Sequence, residues 1–188
     1  MYPTDFRETI ILLDTEFTAW EGSKERNWSG PQEYREVVQI AAIKVNTKTL
    51  EELDSFSLII QPRINPQLSD YFINLTGITQ DKVTSEGIDY KTALDIYRSW
   101  TEGIDTYSFG GDESVIKECC ELYKTPFLLT NRFFDARDVF EKYGIQAKRY
   151  SSGTIIEAFG EEVTRRAHDA LNDVRTILDA LRLLSAQI

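Results

Sequence analysis

The chain of 188 residues carries 31 acidic and 21 basic side chains and one histidine, a formal net charge of −10. That balance opposes broad, sequence-independent binding to duplex nucleic acid, which needs a basic surface. It leaves room for a small site where metal cations supply the positive charge. Hydrophobic residues at 41% and charged residues at 28% are ordinary globular composition, and no apolar run approaches the ~20 residues of a membrane span.

The N-terminal MYPTDFRET has no charged region leading into an apolar stretch, so no signal peptide is expected. Residues 8–14 then read as a continuous apolar strand, the pattern of a central strand covered on both faces. A long polar connection follows, TAWEGSKERNWSGPQEYR. VVQIAAIKV (37–45) and FSLIIQP (56–62) read as two further strands. Asn46 to Thr49 lies between them as a hairpin-like link, and Pro62 and Pro66 close the region. Residues 89–101 place Ala93, Ile96, Tyr97 and Trp100 at helical spacing.

TYSFG (106–110) reads as a short strand leading to Gly110 and Gly111. A helix begins at Asp112, with Ile116, Cys119, Cys120 and Tyr123 on one side. Shorter helices near 135–143 and 152–159 are stopped by Gly144 and Gly160. The strongest helix is 169–186, striped by Ala170, Val174, Ile177, Leu178, Leu181 and Leu184. Three strands, a helix, a strand and then helices make an α/β layer fold with a mixed central sheet flanked by helices. No repeat or linker divides the chain, so one domain over 1–188 is expected. Cys119 and Cys120 are adjacent, and neighbouring residues rarely bridge. They read as free thiols in a reducing, cytoplasmic setting or simply as two small apolar helix residues.

Five residues carry the chemistry. Residues i and i+2 on a strand share a face, so Asp14 and Glu16 converge at a strand end, where open α/β sheets place ligands. Two ionised carboxylates side by side repel unless a cation sits between them, and hard cations such as Mg²⁺ take oxygen ligands. The bland alternative is a solvated strand end. Asp112 opens a helix after a strand, either as an N-cap or as a third carboxylate. His168 and Asp173 stand five apart, ~140° round a helix axis, so a straight helix cannot aim both at one site. They converge only if His168 lies before the helix and Asp173 one turn in; otherwise both are surface residues.

Asp-x-Glu, then Asp, then His-x4-Asp, in that order, resembles the DnaQ-like (DEDDh) 3′–5′ exonuclease superfamily. Within it the chain is similar to the branch of Eri and histone-mRNA exonucleases and KapD-like proteins. The stretches that carry the resemblance are LLDTEFTAW, EVVQIAAIKV, FINLTGITQDKV, SFGGDESVIKECC and RRAHDALNDVRTILDAL, from about residue 10 to 185. The resemblance implies a ribonuclease H-like fold. Asp14, Glu16, Asp112 and Asp173 match the family acids and His168 matches the family base. A sister group has tyrosine four residues before the final acid; Asp169 stands there, so the histidine version is favoured. The branch often has an aromatic where this chain has Gly111.

On this pattern two Mg²⁺ or Mn²⁺ ions are expected. Asp14 would bridge them, Glu16 and Asp173 would complete the one holding the attacking water, and Asp112 would support the other. His168 would take the water's proton, and a nucleoside 5′-monophosphate would leave. The expected partner is a single-stranded or overhanging 3′ end of RNA or DNA, with no membrane. Phe17, Thr18, Leu75, Thr76, Gly77 and Phe109 are the expected substrate contacts. Trp20, Lys24, Arg26 and Trp28 could line a track for the strand, or pack the 18–35 connection onto the body. Lys148, Arg149, Arg165 and Arg166 could guide phosphates or be solvated surface. Two rival readings are a KapD-like regulatory protein that docks to a partner and a nucleic-acid-binding module without chemistry. The presence of all five site residues opposes the first, and the net charge opposes the second.

Overall fold

A computed structural model describes residues 6–188. Residues 1–5, part of the stretch read for a signal peptide, lie outside the described residues. The chain builds a five-stranded mixed sheet in the order β3-β2-β1-β4-β5. The strands are β1 (Thr9–Phe17), β2 (Val37–Asn46), β3 (Glu51–Ile59), β4 (Thr106–Ser108) and β5 (Phe133–Asp135). β1 pairs antiparallel with β2 and parallel with β4, so it lies at the centre.

The aliphatic run explains that position. Ile10 and Leu12 enter one core cluster, beneath α6 (Ala170–Gln187), and Ile11 and Leu13 enter another on the opposite face. The second cluster is closed by α3 (Tyr90–Thr101) and α4 (Asp112–Leu122). In α6, Val174, Ile177, Leu178, Leu181 and Leu184 are all buried. At about 1.5–3 kcal/mol each, such side chains contribute on the order of 10 kcal/mol to seating the helix that carries Asp173.

Several elements differ from their expected bounds. β1 runs on to Phe17, so both acids lie within the paired strand, with a bulge between Glu16 and Phe17. β3 begins at Glu51 rather than 56, and its first five residues include no buried one. It is an edge strand whose acidic first half has no hidden face to produce an alternation. In the β2–β3 turn the Asn46 side chain accepts from the Lys48 and Thr49 N–H groups at 2.9 and 3.1 Å.

Two short helices, α1 (Asp70–Thr76) and α2 (Gln80–Glu86), were not expected. Ser69 and Thr79 cap them, each side chain accepting from the N–H three residues on. β5 was also not expected. Ile96 is exposed; α3 buries Tyr90, Ala93, Leu94 and Tyr97 instead. The helix expected near 135–143 is α5 (Ala136–Glu141), and 152–159 is a 3-10 helix, Ile155–Phe159.

Candidate active site

Asp14 and Glu16 continue the row of Ile10 and Leu12 toward the α6 side of the sheet. Asp112 arrives from the adjacent parallel strand, because β4 leads directly into α4. It does not cap its own helix: Gly111 holds the N-cap position and makes no side-chain cap bond. The Asp112 carboxylate instead accepts from Thr15, at 3.0 Å from the backbone N–H and 2.6 Å from the hydroxyl.

Asp173 sits in the first turn of α6, whose N-cap Asp169 accepts from Asn172 N–H at 3.1 Å. His168 precedes that cap in the left-handed region, φ 61°. This is how the geometric conflict is resolved: a left-handed residue turns the imidazole where a straight helix could not. Ligand atoms of Glu16, His168 and Asp173 all lie within 4.8 Å of one another. The four carboxylates are 3–8% exposed.

Burial is the main force on their protonation. It pushes Asp14 well above the ordinary carboxylate range, with Asp112, Glu16 and Asp173 adding repulsion. Glu16 is raised for the same reasons, burial first and then Asp173 and Asp112. Asp112 is raised by burial, against the hydrogen bonds from Thr15. Asp173 is pushed up to about 6, also by burial, although Ser152 Oγ donates to it at 2.9 Å. Its other oxygen, Oδ1, is buried with no hydrogen-bond partner. Gly153 backs that oxygen so closely that a Cβ there would stand 2.7 Å from it. A buried acceptor without a donor costs about 1–3 kcal/mol, so the site is organised for a partner from outside the chain. His168 is shifted the other way: burial, then Lys24 and Arg166, disfavour its charged form.

The acids floor a cleft of about 730 Å³. Phe17, Leu75 and Phe109 line it, as do Lys24, Trp28, Lys148 and Arg149. Three expected contacts, Thr18, Thr76 and Gly77, are not among the lining residues. The Thr18 hydroxyl donates to Tyr34 O and accepts from Glu36 N–H. The Thr76 hydroxyl donates to Phe72 O at 2.9 Å, and Gly77 is the left-handed C-cap of α1, covered by Arg166. Trp20 is outside the lining, Arg26 pairs with Glu33, and Arg165 pairs with Asp179.

Arg35, Tyr71, Arg137 and Ser152 line the cleft without having been expected. Nothing in their spacing marks them, since each reaches the cleft only through tertiary folding. Arg35 alone had a local signal, as a cation beside an aromatic-bearing connection. Its guanidinium lies 5.5 Å from the Trp28 ring centre and 6.0 Å from that of Phe17.

Proteins similar to this chain are exonucleases by name. Human 3′-5′ exoribonuclease 1 is 38% identical over 82 residues, 44% of this chain and 22% of that protein. Mouse ERI1 exoribonuclease 2 is 28% identical over 194 residues, 88% of this chain and 27% of that protein. The chain thus spans about a quarter of the length of these curated relatives. The solved nuclease domain of 3′hExo, a DEDDh family member bound to rAMP, superposes with a TM-score of 0.81. It is 24% identical, and the match covers 97% of this chain and 94% of that one, which shows the ribonuclease H-like fold. The RNase T exonuclease family model matches residues 11–181. A match running from β1 into α6, across every element that carries one of the five residues, places this chain in the RNase T exonuclease family.

Proposed function

We propose that the chain is a divalent-metal-dependent 3′–5′ exonuclease that shortens single-stranded RNA or DNA from its 3′ end, releasing nucleoside 5′-monophosphates. One observation carries the reading: four buried carboxylates share one cleft floor, and among the described residues no cation forms an ion pair with them. Of the cations lining the cleft, Arg35 is held by Glu118, Arg137 by Asp135 and Lys148 by Glu141. Asp14, Glu16, Asp112 and Asp173 would hold two Mg²⁺ or Mn²⁺ ions; the all-oxygen donor set and the unpartnered Asp173 Oδ1 fit such hard cations. When bound, the ions cancel the carboxylate charge, make water more acidic and stabilise charge on the leaving oxygen.

His168 is kept neutral near pH 7 by burial and by nearby cations, so its free ring nitrogen can accept a proton. It takes that proton from the attacking water as the water oxygen bonds to phosphorus. The bond from phosphorus to the 3′ oxygen of the preceding nucleotide breaks, and that oxygen takes a proton from solvent. Phe17 and Leu75 offer apolar surface to the terminal base, with Phe109 on the same cleft.

The same reading takes 1–188 as one exonuclease domain with nucleic acid as its partner. Among the described residues, no helix is long and apolar enough to cross a membrane. The two free, buried thiols support a reducing, cytoplasmic setting.

The test is incubation of 5′-labelled single-stranded RNA and DNA with the protein and Mg²⁺ or Mn²⁺. A ladder shortened from the 3′ end, lost with chelator and with Asp14→Ala, is expected. Full-length oligonucleotide with both metals would overturn the reading.

A further inference from the structure

The acids account for the floor of the cleft, and part of its rim comes from the connection between β1 and β2. That segment folds on itself. Ser23 Oγ accepts from Trp20 N–H at 3.1 Å, and Trp28 N–H donates to Ser23 O at 2.7 Å. Asn27 and Trp28 are consecutive left-handed residues, φ 51° and 49°. A residue as bulky as tryptophan holds that conformation only where its surroundings fix it. Here the indole N–H donates to Thr18 O at 3.0 Å, and the ring packs on Phe17 with centres 5.4 Å apart. The backbone strain is thus held in place beside the first residue after the Asp-x-Glu motif.

Lys24 belongs to the same fold of chain, is exposed, and lines the cleft. Among the described residues no carboxylate holds Lys24 or Arg149, whereas the other three cations lining the cleft are ion-paired. Lys24 lines the same cleft as His168, Glu16 and Asp173. In a chain with 31 acids against 21 bases, an exposed cation that lines an acidic cleft and has no carboxylate partner among the described residues is suited to an anion from outside. Aromatic surface interleaved with cations is what a single strand uses, because bases stack only when unpaired.

We infer that this segment forms the subsite for the penultimate nucleotide of a single-stranded 3′ end, with Lys24 receiving the phosphate on that nucleotide's 5′ side and Trp28, backed by Phe17 and Arg35, taking its base. The inference rests on the exonuclease reading and adds to it recognition of a second nucleotide, on the 5′ side of the scissile bond.

Three substrates separate the two. The p-nitrophenyl ester of a nucleoside 5′-monophosphate fills only the terminal position. A dinucleotide adds the penultimate base, and a 5′-phosphorylated dinucleotide adds the phosphate assigned to Lys24. The sugar is the one that the ladder assay selects. For the wild type, the 5′ phosphate is expected to lower KM about tenfold, the scale of one charge-assisted contact. Lys24→Gln, at an exposed position, should abolish that preference through KM rather than kcat. Trp28→Ala should lower kcat/KM for both dinucleotides about tenfold relative to the ester, as loss of one stacked base implies. Trp28→Phe, which keeps a ring but loses the bond to Thr18, should restore much of that ratio. A wild type indifferent to the 5′ phosphate, or a Lys24→Gln variant that keeps the preference, overturns the phosphate assignment. Equal loss on ester and dinucleotide in Trp28→Ala, or no loss on either, overturns the base assignment. A wild type that cleaves neither the ester nor any oligonucleotide overturns the exonuclease reading itself.

Discussion

Thr15 and Asp112 are 97 positions apart, yet the backbone N–H and the hydroxyl of Thr15 both end on one oxygen of Asp112. Thr15 lies between Asp14 and Glu16, so this contact ties the first turn of α4 to the strand segment that carries the other two acids. Thr15→Val keeps the N–H bond and the buried volume and removes only the hydroxyl. We expect the Mg²⁺ or Mn²⁺ concentration for half-maximal activity to rise about tenfold, the usual cost of losing a bond that orients a ligand. Thr15→Ser should recover most of it. An unchanged metal dependence in Thr15→Val would show that Asp112 is oriented without the hydroxyl.

Burial pushes Asp173 up to about 6 against an ordinary value of 3.8, and Asp14, Glu16 and Asp112 move in the same direction. The folded site therefore binds protons more tightly than the unfolded chain. Its contribution to stability is full below the ordinary carboxylate pKa and is lost as pH rises through about 6. Carboxylates held low, such as Asp89, act the other way, near and below their ordinary value of 3.8. In chelator, Tm should thus rise by on the order of 5 °C from pH 7.5 to 5.5, given about 2–4 °C per kcal/mol for a chain of this size. Mg²⁺ at pH 7.5 should restore the difference, and Asp173→Asn should flatten the dependence. A Tm that falls steadily over that range in chelator would contradict the charge-burial picture.

His168, Glu16 and Asp173 offer ligand atoms within 4.8 Å of one another, so His168 could serve either as a base or as a metal ligand. The two roles give different losses. For a base, His168→Ala should cost about 10²–10⁴ in kcat while metal affinity, measured by calorimetry, changes little. Loss of metal affinity in parallel with kcat would make it a ligand instead.

How much of this was open to sequence reasoning follows from where each residue lies. Ile10–Leu13 and Val37–Ile43 read as strands because both faces are covered, leaving apolar runs that only Gln39 interrupts. β3 was shortened at its start because Glu51, Glu52 and Asp54 lie on an edge. α1 and α2 are seven residues each and bury two side chains and one, too few to make a stripe. The convergence of Asp14 and Glu16 follows from strand alternation alone. The aim of His168 does not, since its left-handed backbone has no marker in the sequence. Ser152, Gly153 and Arg137 come to the site through chain crossings that local pattern cannot reveal.

Glu36 had no signal at all and is the most heavily bonded acid outside the site. It is fully buried. It accepts from the N–H groups of Arg63, Ile64 and Asn65 at 2.7–2.8 Å, from the Asn65 side chain at 2.9 Å, and from the Tyr123 hydroxyl. Its own N–H donates to the Thr18 hydroxyl, so the same residue closes the segment that bears Lys24 and Trp28. Each of the five groups on the carboxylate, from Arg63, Ile64, Asn65 (twice) and Tyr123, points a hydrogen at it. Glu36→Gln would turn one acceptor oxygen into an amide donor facing donors, leaving at least one buried N–H or O–H unpaired. The expected loss is about 2–4 kcal/mol in denaturant unfolding, from a broken, fully desolvated cluster. Glu36→Asp keeps the charge but withdraws it by one methylene, and should lose part of that. Because Glu36 does not line the cleft, kcat on the p-nitrophenyl ester, measured well below Tm and per folded molecule, should fall far less than stability. A Glu36→Gln variant as stable as the wild type would mean that water replaces the carboxylate among these donors at no cost.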